Sequence, residues 1–174
     1  YLGASIDNRG TGMRGRAWRK SIYRQLVVVE THDQVAAPRA MSRWSYVDPA
    51  RIGIFGWSYG GFMSLNTLFQ GSDVYKMAIA VAPVTHWKYY DNVYTERFNG
   101  LPRDNQAGYD AGSPLSHVGG LRGRLLLVHG TGDDNVHYQN TEALVNALVK
   151  ADKQFDFMSY PNRNHGIFGG NTTL

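Results

Sequence analysis

Apolar residues gather along the chain in five short runs, Leu2 to Ile6, Arg51 to Phe55, Met77 to Val81, Arg124 to Val128 and Phe155 to Tyr160. Each has the length of a strand, and most are nearly continuous in Ile, Val, Leu and Phe, the pattern of strands covered on both faces. Between the last two runs Thr141, Leu144, Leu148 and Ala151 recur at spacings of three and four, with Val145 widening the stripe, which predicts a helix over Tyr138 to Ala151. A second helical stretch, Gly61 to Phe69, follows the second run closely. Strands alternating with helices predict an α/β fold, a mostly parallel sheet with helices on both faces and ligand chemistry at the carboxyl ends of the strands. Arg16 to Ser45 is divided: Leu26-Val27-Val28-Val29 suits a strand, its flanks Trp18 to Gln25 and Thr31 to Trp44 suit helices, and Pro38 predicts a kink or a helix start.

With 174 residues and neither repeats nor linker-like tracts, the chain reads as one unit. It begins without Met in a strand-like run, so we expect it to be a piece of a longer protein. Cysteine is absent, which excludes disulfides, thiol nucleophiles and thiolate metal sites. No apolar run approaches the roughly 18 residues that span a bilayer. The formal net charge of +4 would hint at nucleic acid, but Arg9, Arg14, Arg16, Arg19, Lys20 and Arg24 carry the excess and the remainder is slightly acidic. A local cluster of that kind does not make a nucleic-acid surface, and none is expected. Asn171-Thr172-Thr173 fits a glycosylation sequon.

Two glycine motifs compete for the function. Gly10-Thr11-Gly12-Met13-Arg14-Gly15 fits G-x-G-x-x-G, with Glu30 placed where a ribose-binding acid would stand in a dinucleotide fold. That fingerprint needs its first glycine directly at a strand end, yet Asp7-Asn8-Arg9 intervenes, and the following helix would be short. A glycine-rich turn with solvated arginines is the better reading, and no cofactor is expected.

Gly56-Trp57-Ser58-Tyr59-Gly60 fits G-x-S-x-G and lies between a β-rich run and a helical one. Strand, tight turn and helix make a nucleophile elbow: small flanking residues let the turn close, and the serine hydroxyl is held at the strand's carboxyl end. A serine hydroxyl is a weak nucleophile, so it needs a base and an orienting acid. His129-Gly130-Thr131-Gly132-Asp133-Asp134 follows the fourth run and Asn162-Arg163-Asn164-His165-Gly166 the fifth, giving the order Ser, Asp, His. Ser58 and His165 are thus the candidate nucleophile and base, with Asp133 and Asp134 competing as the acid. Metal catalysis is not expected, for there is no His-Glu-x-x-His and no Cys.

Over essentially its whole length the chain resembles the catalytic domain of the dipeptidyl peptidase IV family, in the prolyl oligopeptidase group of serine peptidases. The residues that carry the resemblance are Asp7 to Gly12, Val47-Asp48-Pro49, Gly56 to Gly61, Ala82-Pro83-Val84, Trp87 to Asp91, Tyr94-Thr95-Glu96-Arg97, His129 to His137 and His165-Gly166. The resemblance implies an α/β-hydrolase fold lacking its first strands and last helix, with a β-propeller domain outside this chain. It implies removal of dipeptides from free amino termini when the second residue is proline or alanine. It favours Asp133 as the acid, Tyr59 N–H as an oxyanion donor, Val84, Trp87, Tyr90, Tyr94 and Val136 as the proline pocket, and Asn135 as a holder of the preceding substrate carbonyl. Aromatic residues separated by polar ones suit a pocket rim better than a core. The family further implies a homodimeric full-length protein, exported or membrane-associated.

Other readings stay open at this point: a tripeptidyl or acylaminoacyl peptidase with the same triad, and a hydrolase-like binding domain without catalysis. The clamp for the substrate amine and a second oxyanion donor would lie outside the chain, so the chain alone is expected to have little or no peptidase activity. Two departures from the family pattern fall in the first third. Val27-Val28 stands where a glycine is expected beside the valine, and Pro38 interrupts a segment expected to be a plain helix.

Overall fold

In the computed structural model, which describes residues 1–169, the last four apolar runs form a parallel sheet in the order β1-β2-β3-β4: Gly53–Trp57, Met77–Val81, Arg124–Gly130 and Asp156–Tyr160. The registers pair Phe55 with Ile79, Ile79 with Leu126 and Val128 with Met158. Among the described residues there are six α-helices, joined in places by short 3-10 turns: α1 (Gly15–Lys20), α2 (Val28–Met41), α3 (Tyr59–Gln70), α4 (Asn92–Asn99), α5 (Gln106–Gly112) and α6 (Gln139–Lys150). On one face of the sheet Ala78, Ala80, Leu125 and Leu127 pack against Leu65 and Leu68 of α3 and Leu144 and Leu148 of α6. The spacing read from the sequence predicted this use of α6.

The opposite face is only partly covered. Phe55, Met77 and Met158 are 64%, 41% and 49% exposed. Among the described residues β1 also has no partner along its outer edge.

Leu2 to Ile6 does not form a strand, contrary to the expectation. Only Leu2 and Ile6 are large apolar residues in that run, so Gly3, Ala4 and Ser5 give a strand little to pack. Residues 1–5 are exposed instead, and only the end of the run touches α2, with the Gln34 side chain donating to the Ile6 carbonyl at 3.1 Å. The Val27 to Val29 stretch resolves as helix, because α2 starts at Val28 with Val27 as its N-cap in a left-handed conformation (φ 75°). That is the backbone which the expected glycine would adopt without strain.

Pro38 lies inside α2, near its end. It has no N–H to offer the carbonyl four residues earlier, which belongs to Gln34. The Tyr75 hydroxyl donates to that carbonyl at 2.6 Å, so the helix continues with its freed acceptor satisfied from outside. Asn171-Thr172-Thr173 lies outside the described residues.

Candidate active site

Every candidate residue comes to the carboxyl ends of the strands, Ser58 after β1, Val84 after β2, Asp133 after β3 and His165 after β4. Ser58 occupies φ 59°, ψ −116°, a conformation that costs a non-glycine residue about 1–3 kcal/mol. Its neighbours over-determine it. Ser58 N–H donates to the Val81 carbonyl at 2.8 Å, and the Ser58 carbonyl accepts the first α3 bond from Phe62 at 3.0 Å. Gly56 is required: a Cβ there would meet the Gly60 carbonyl oxygen at 2.1 Å. Tyr59, the first residue of α3, has an N–H with no acceptor inside the helix, free to donate beside Ser58.

His165 Nδ1 and Asp133 Oδ2 are 2.7 Å apart, with the Asp133 side chain fully buried and that of His165 23% exposed. This bond puts the proton on Nδ1 and leaves Nε2 as the accepting nitrogen. Trp57 Nε1 donates to the His165 carbonyl at 2.9 Å, tying the elbow to the histidine loop. Among the described residues no hydrogen bond joins Ser58 to His165; such contacts often tighten only with substrate bound. Asp134 is exposed, so of the two competing acids only Asp133 reaches the imidazole.

Asp133 has a second imidazole partner. His129, fully buried at the end of β3, approaches Asp133 Oδ2 at 3.0 Å and the Val136 carbonyl at 2.9 Å, both through Nε2. Two acceptors at Nε2 require the hydrogen there, so Nδ1 of the neutral ring accepts from the Thr141 hydroxyl of α6 at 2.7 Å. Asp133 Oδ1 accepts from the N–H groups of Asn135 and Val136 at 2.9 and 3.0 Å. Burial alone would raise the Asp133 pKa; the bonds from His129, His165 and Asn135 outweigh it and hold the carboxyl well below the usual range. The available signal was a histidine four positions before the acid at a strand end.

The predicted pocket residues come together. Trp87 stacks on Tyr94 with centroids 5.6 Å apart, and Tyr90 meets both edge-on at 5.8 and 5.5 Å. Tyr59 lies 5.8 Å from Trp87, and Val84 and Val136 complete the same apolar cluster. Tyr90 and Tyr94 keep partial exposure, but Val84, Trp87 and Val136 are buried, so the group is partly core and not wholly a rim. The polar residues between the rings, Lys88 and Asp91, simply face outward. Asn135 is exposed, and its Oδ1 accepts from the Tyr90 hydroxyl at 2.8 Å.

Glu30, named in the sequence only with the rejected dinucleotide pattern, has a different place in the structure. The glycine-rich turn follows no strand and leads into α1, a helix of only six residues, while Glu30 is buried and accepts from the Tyr59 hydroxyl at 2.7 Å. An acid beside the Val27 to Val29 run was the sequence signal for an inward-facing carboxyl.

A parallel sheet with a strained serine between strand and helix, and an Asp-His pair at later strand ends, defines the α/β-hydrolase class. Within it, the chain belongs to the prolyl oligopeptidase family, a family of serine peptidases, whose model matches residues 1–174. Among curated proteins it is 44% identical to the probable dipeptidyl-aminopeptidase B of Arthroderma benhamiae, over 97% of this chain and 19% of that protein. It is likewise 44% identical to human prolyl endopeptidase FAP, over 97% of this chain and 23% of that protein. The crystal structure of Porphyromonas gingivalis dipeptidyl peptidase 4 superposes with a TM-score of 0.93 at 52% identity, covering 95% of this chain and 24% of that one. The chain thus spans about a fifth to a quarter of the length of these relatives.

Proposed function

We propose that this chain is the catalytic part of a longer serine exopeptidase that releases dipeptides from free amino termini when the second residue is proline or alanine. The observation that carries the reading is the Asp133–His165 hydrogen bond beside a serine elbow tied to the same histidine loop by Trp57. Ser58 attacks the carbonyl after the second residue. His165 takes the serine proton and returns it to the leaving amine, and buried Asp133 fixes the ring and stabilises its charged form. Tyr59 N–H donates to the developing oxyanion. The proline ring packs among Tyr59, Val84, Trp87, Tyr90, Tyr94 and Val136, where flat aromatic walls suit a rigid apolar ring. Asn135, its side chain braced by Tyr90, holds the preceding carbonyl.

The rest of the machinery belongs to the rest of the protein: a second oxyanion donor, the acidic clamp for the substrate amine, and the contacts of a homodimer. The open edge of β1 and the half-bare sheet face support the corollary that these 174 residues alone have little or no activity.

The test is turnover of a Gly-Pro chromogenic substrate by the full-length enzyme, alongside Ser58→Ala and the isolated chain, with fluorophosphonate labelling in parallel. We expect labelling and turnover in the full-length enzyme, neither in Ser58→Ala, and negligible turnover by the isolated chain. Equal turnover of an amino-blocked substrate would overturn the dipeptidyl specificity in favour of an acylaminoacyl or endopeptidase activity. Absence of labelling in the full-length enzyme would leave a binding domain.

A further inference from the structure

Glu30 is a carboxyl group in the wrong place for a structural surface residue. It lies in the first turn of α2, 2% exposed, beside the cluster of Leu26, Val27, Phe62 and Trp87, and its one side-chain hydrogen-bond partner among the described residues is the Tyr59 hydroxyl. Its other oxygen, Oε2, is buried and has none. A lone carboxyl is costly to bury, so the contact it makes marks what it does. Tyr59 has two duties at the proposed site, for its ring is a wall of the pocket and its N–H follows the nucleophile. Both move if the ring moves.

We propose that Glu30 is a positioning residue: by accepting from the Tyr59 hydroxyl it fixes the pocket wall and the oxyanion amide from behind. This rests on the peptidase reading of the Ser58 site, and Glu30 itself touches no substrate. The charged and titratable groups around it are Asp33 on its own helix, Arg9 from the preceding loop, Tyr59 from α3 and Tyr94 from α4. Arg9 is committed to Asp33 at 2.7 Å and acts on Glu30 only through space, so among the described residues Glu30 is in no ion pair.

Burial pushes the Glu30 carboxyl up to about 7, against the Tyr59 hydroxyl and the nearby backbone amides of Glu30 and Val27, which favour the anion. The carboxyl therefore changes charge near neutrality. When it is protonated, Oε1 still accepts from Tyr59 and the pocket carries no buried charge. When it ionises, the unpartnered Oε2 favours openings that hydrate it, which loosen Tyr59. Substrate affinity should therefore weaken as pH rises through neutrality, with the sign set by a raised carboxyl pKa.

The experiment measures kcat and KM for the Gly-Pro substrate between pH 6 and 9 on full-length wild type, Glu30→Gln, Glu30→Ala, Tyr59→Phe and the Glu30→Ala/Tyr59→Phe pair. Glutamine copies the protonated acid, so Glu30→Gln should match wild type at pH 6 and lose the rise in KM above neutrality. Glu30→Ala and Tyr59→Phe should each raise KM about five- to tenfold at pH 6, the scale of one lost hydrogen bond, with little further loss in the double variant. An unchanged KM in Tyr59→Phe, additive losses in the pair, or an intact KM rise in Glu30→Gln would overturn the proposal. If Glu30→Ala does not fold, Tyr59→Phe and Glu30→Gln decide alone. A wild-type enzyme that turns over nothing defeats the peptidase reading, a different result from an active enzyme indifferent to Glu30.

Discussion

Replacing His129 by leucine removes three hydrogen bonds from a fully buried site: Nε2–H to Asp133 at 3.0 Å and to the Val136 carbonyl at 2.9 Å, and the Thr141 hydroxyl to Nδ1 at 2.7 Å. A buried bond to a charged group contributes about 1.5–3 kcal/mol and each neutral one about 1 kcal/mol, so the folded state should lose about 3–5 kcal/mol. The catalytic loss should be far smaller than for removal of the acid, which typically costs about 10⁴-fold. Asp133 keeps His165 and the amides of Asn135 and Val136, three of its four donors. What changes is how firmly its Oδ2 is aimed at His165, and a tenfold fall in kcat is the expected scale, about 1.4 kcal/mol. The thermal midpoint of the full-length enzyme reads the loss of stability, and its turnover of the Gly-Pro substrate reads the loss in kcat. His129→Gln supplies a donor where Nε2–H was and should recover most of the activity. A leucine variant as active as wild type, or one no worse than the glutamine variant, would refute a positioning role for this ring.

Two further outcomes follow from the same geometry. Asp133 is held ionised below the usual range, so its bonds stabilise the fold fully above the unfolded value of about 3.9 and are lost as pH falls through the lower folded one. Thermal midpoints between pH 5 and 3 should therefore fall more steeply for wild type than for Asp133→Asn, and parallel curves would contradict this. Tyr75→Phe should cost about 1 kcal/mol by orphaning the Gln34 carbonyl, and much less in a Pro38→Ala background, where the new amide at position 38 can serve that carbonyl. Unfolding of the two singles and the double measures the coupling, and equal losses in both backgrounds would dismiss the exchange.

The sheet and the placing of Ser58, Asp133 and His165 past strand ends were legible because they rest on local signals: continuous apolar runs, small residues where a turn must close, and one acid and one histidine just after apolar runs. The roles of His129 and Glu30 rest on contacts that pattern does not encode. His129 is close in sequence to Asp133, but its importance comes from Thr141 of α6 and the Val136 carbonyl closing around it. Glu30 meets Tyr59 across 29 positions, and nothing periodic links α2 to the elbow. The same holds for Tyr75, whose hydroxyl answers a proline 37 positions earlier through the carbonyl of a third residue. Leu2 to Ile6 failed for a local reason, since Gly3, Ala4 and Ser5 between its two large apolar residues give a strand little to pack.

Val27 shows how such a conflict is resolved. A β-branched residue in the left-handed region costs about 1–2 kcal/mol, and glycine would avoid it. The backbone is nonetheless constrained there: Val27 O accepts from Thr31 N at 2.9 Å inside α2, Val28 N donates to Gln25 O at 3.2 Å, and Leu26 O lies so close to Gly112 that a Cβ at 112 would meet it at 2.4 Å. The valine side chain is fully buried against the cluster that includes Phe62 and Trp87, and burial of that kind is worth about 1.5–3 kcal/mol, enough to offset the strain. The turn that brings Glu30 to face Tyr59 is therefore held by packing at a position where backbone preference alone would ask for glycine. Local preference and tertiary demand part company at this position, and packing decides.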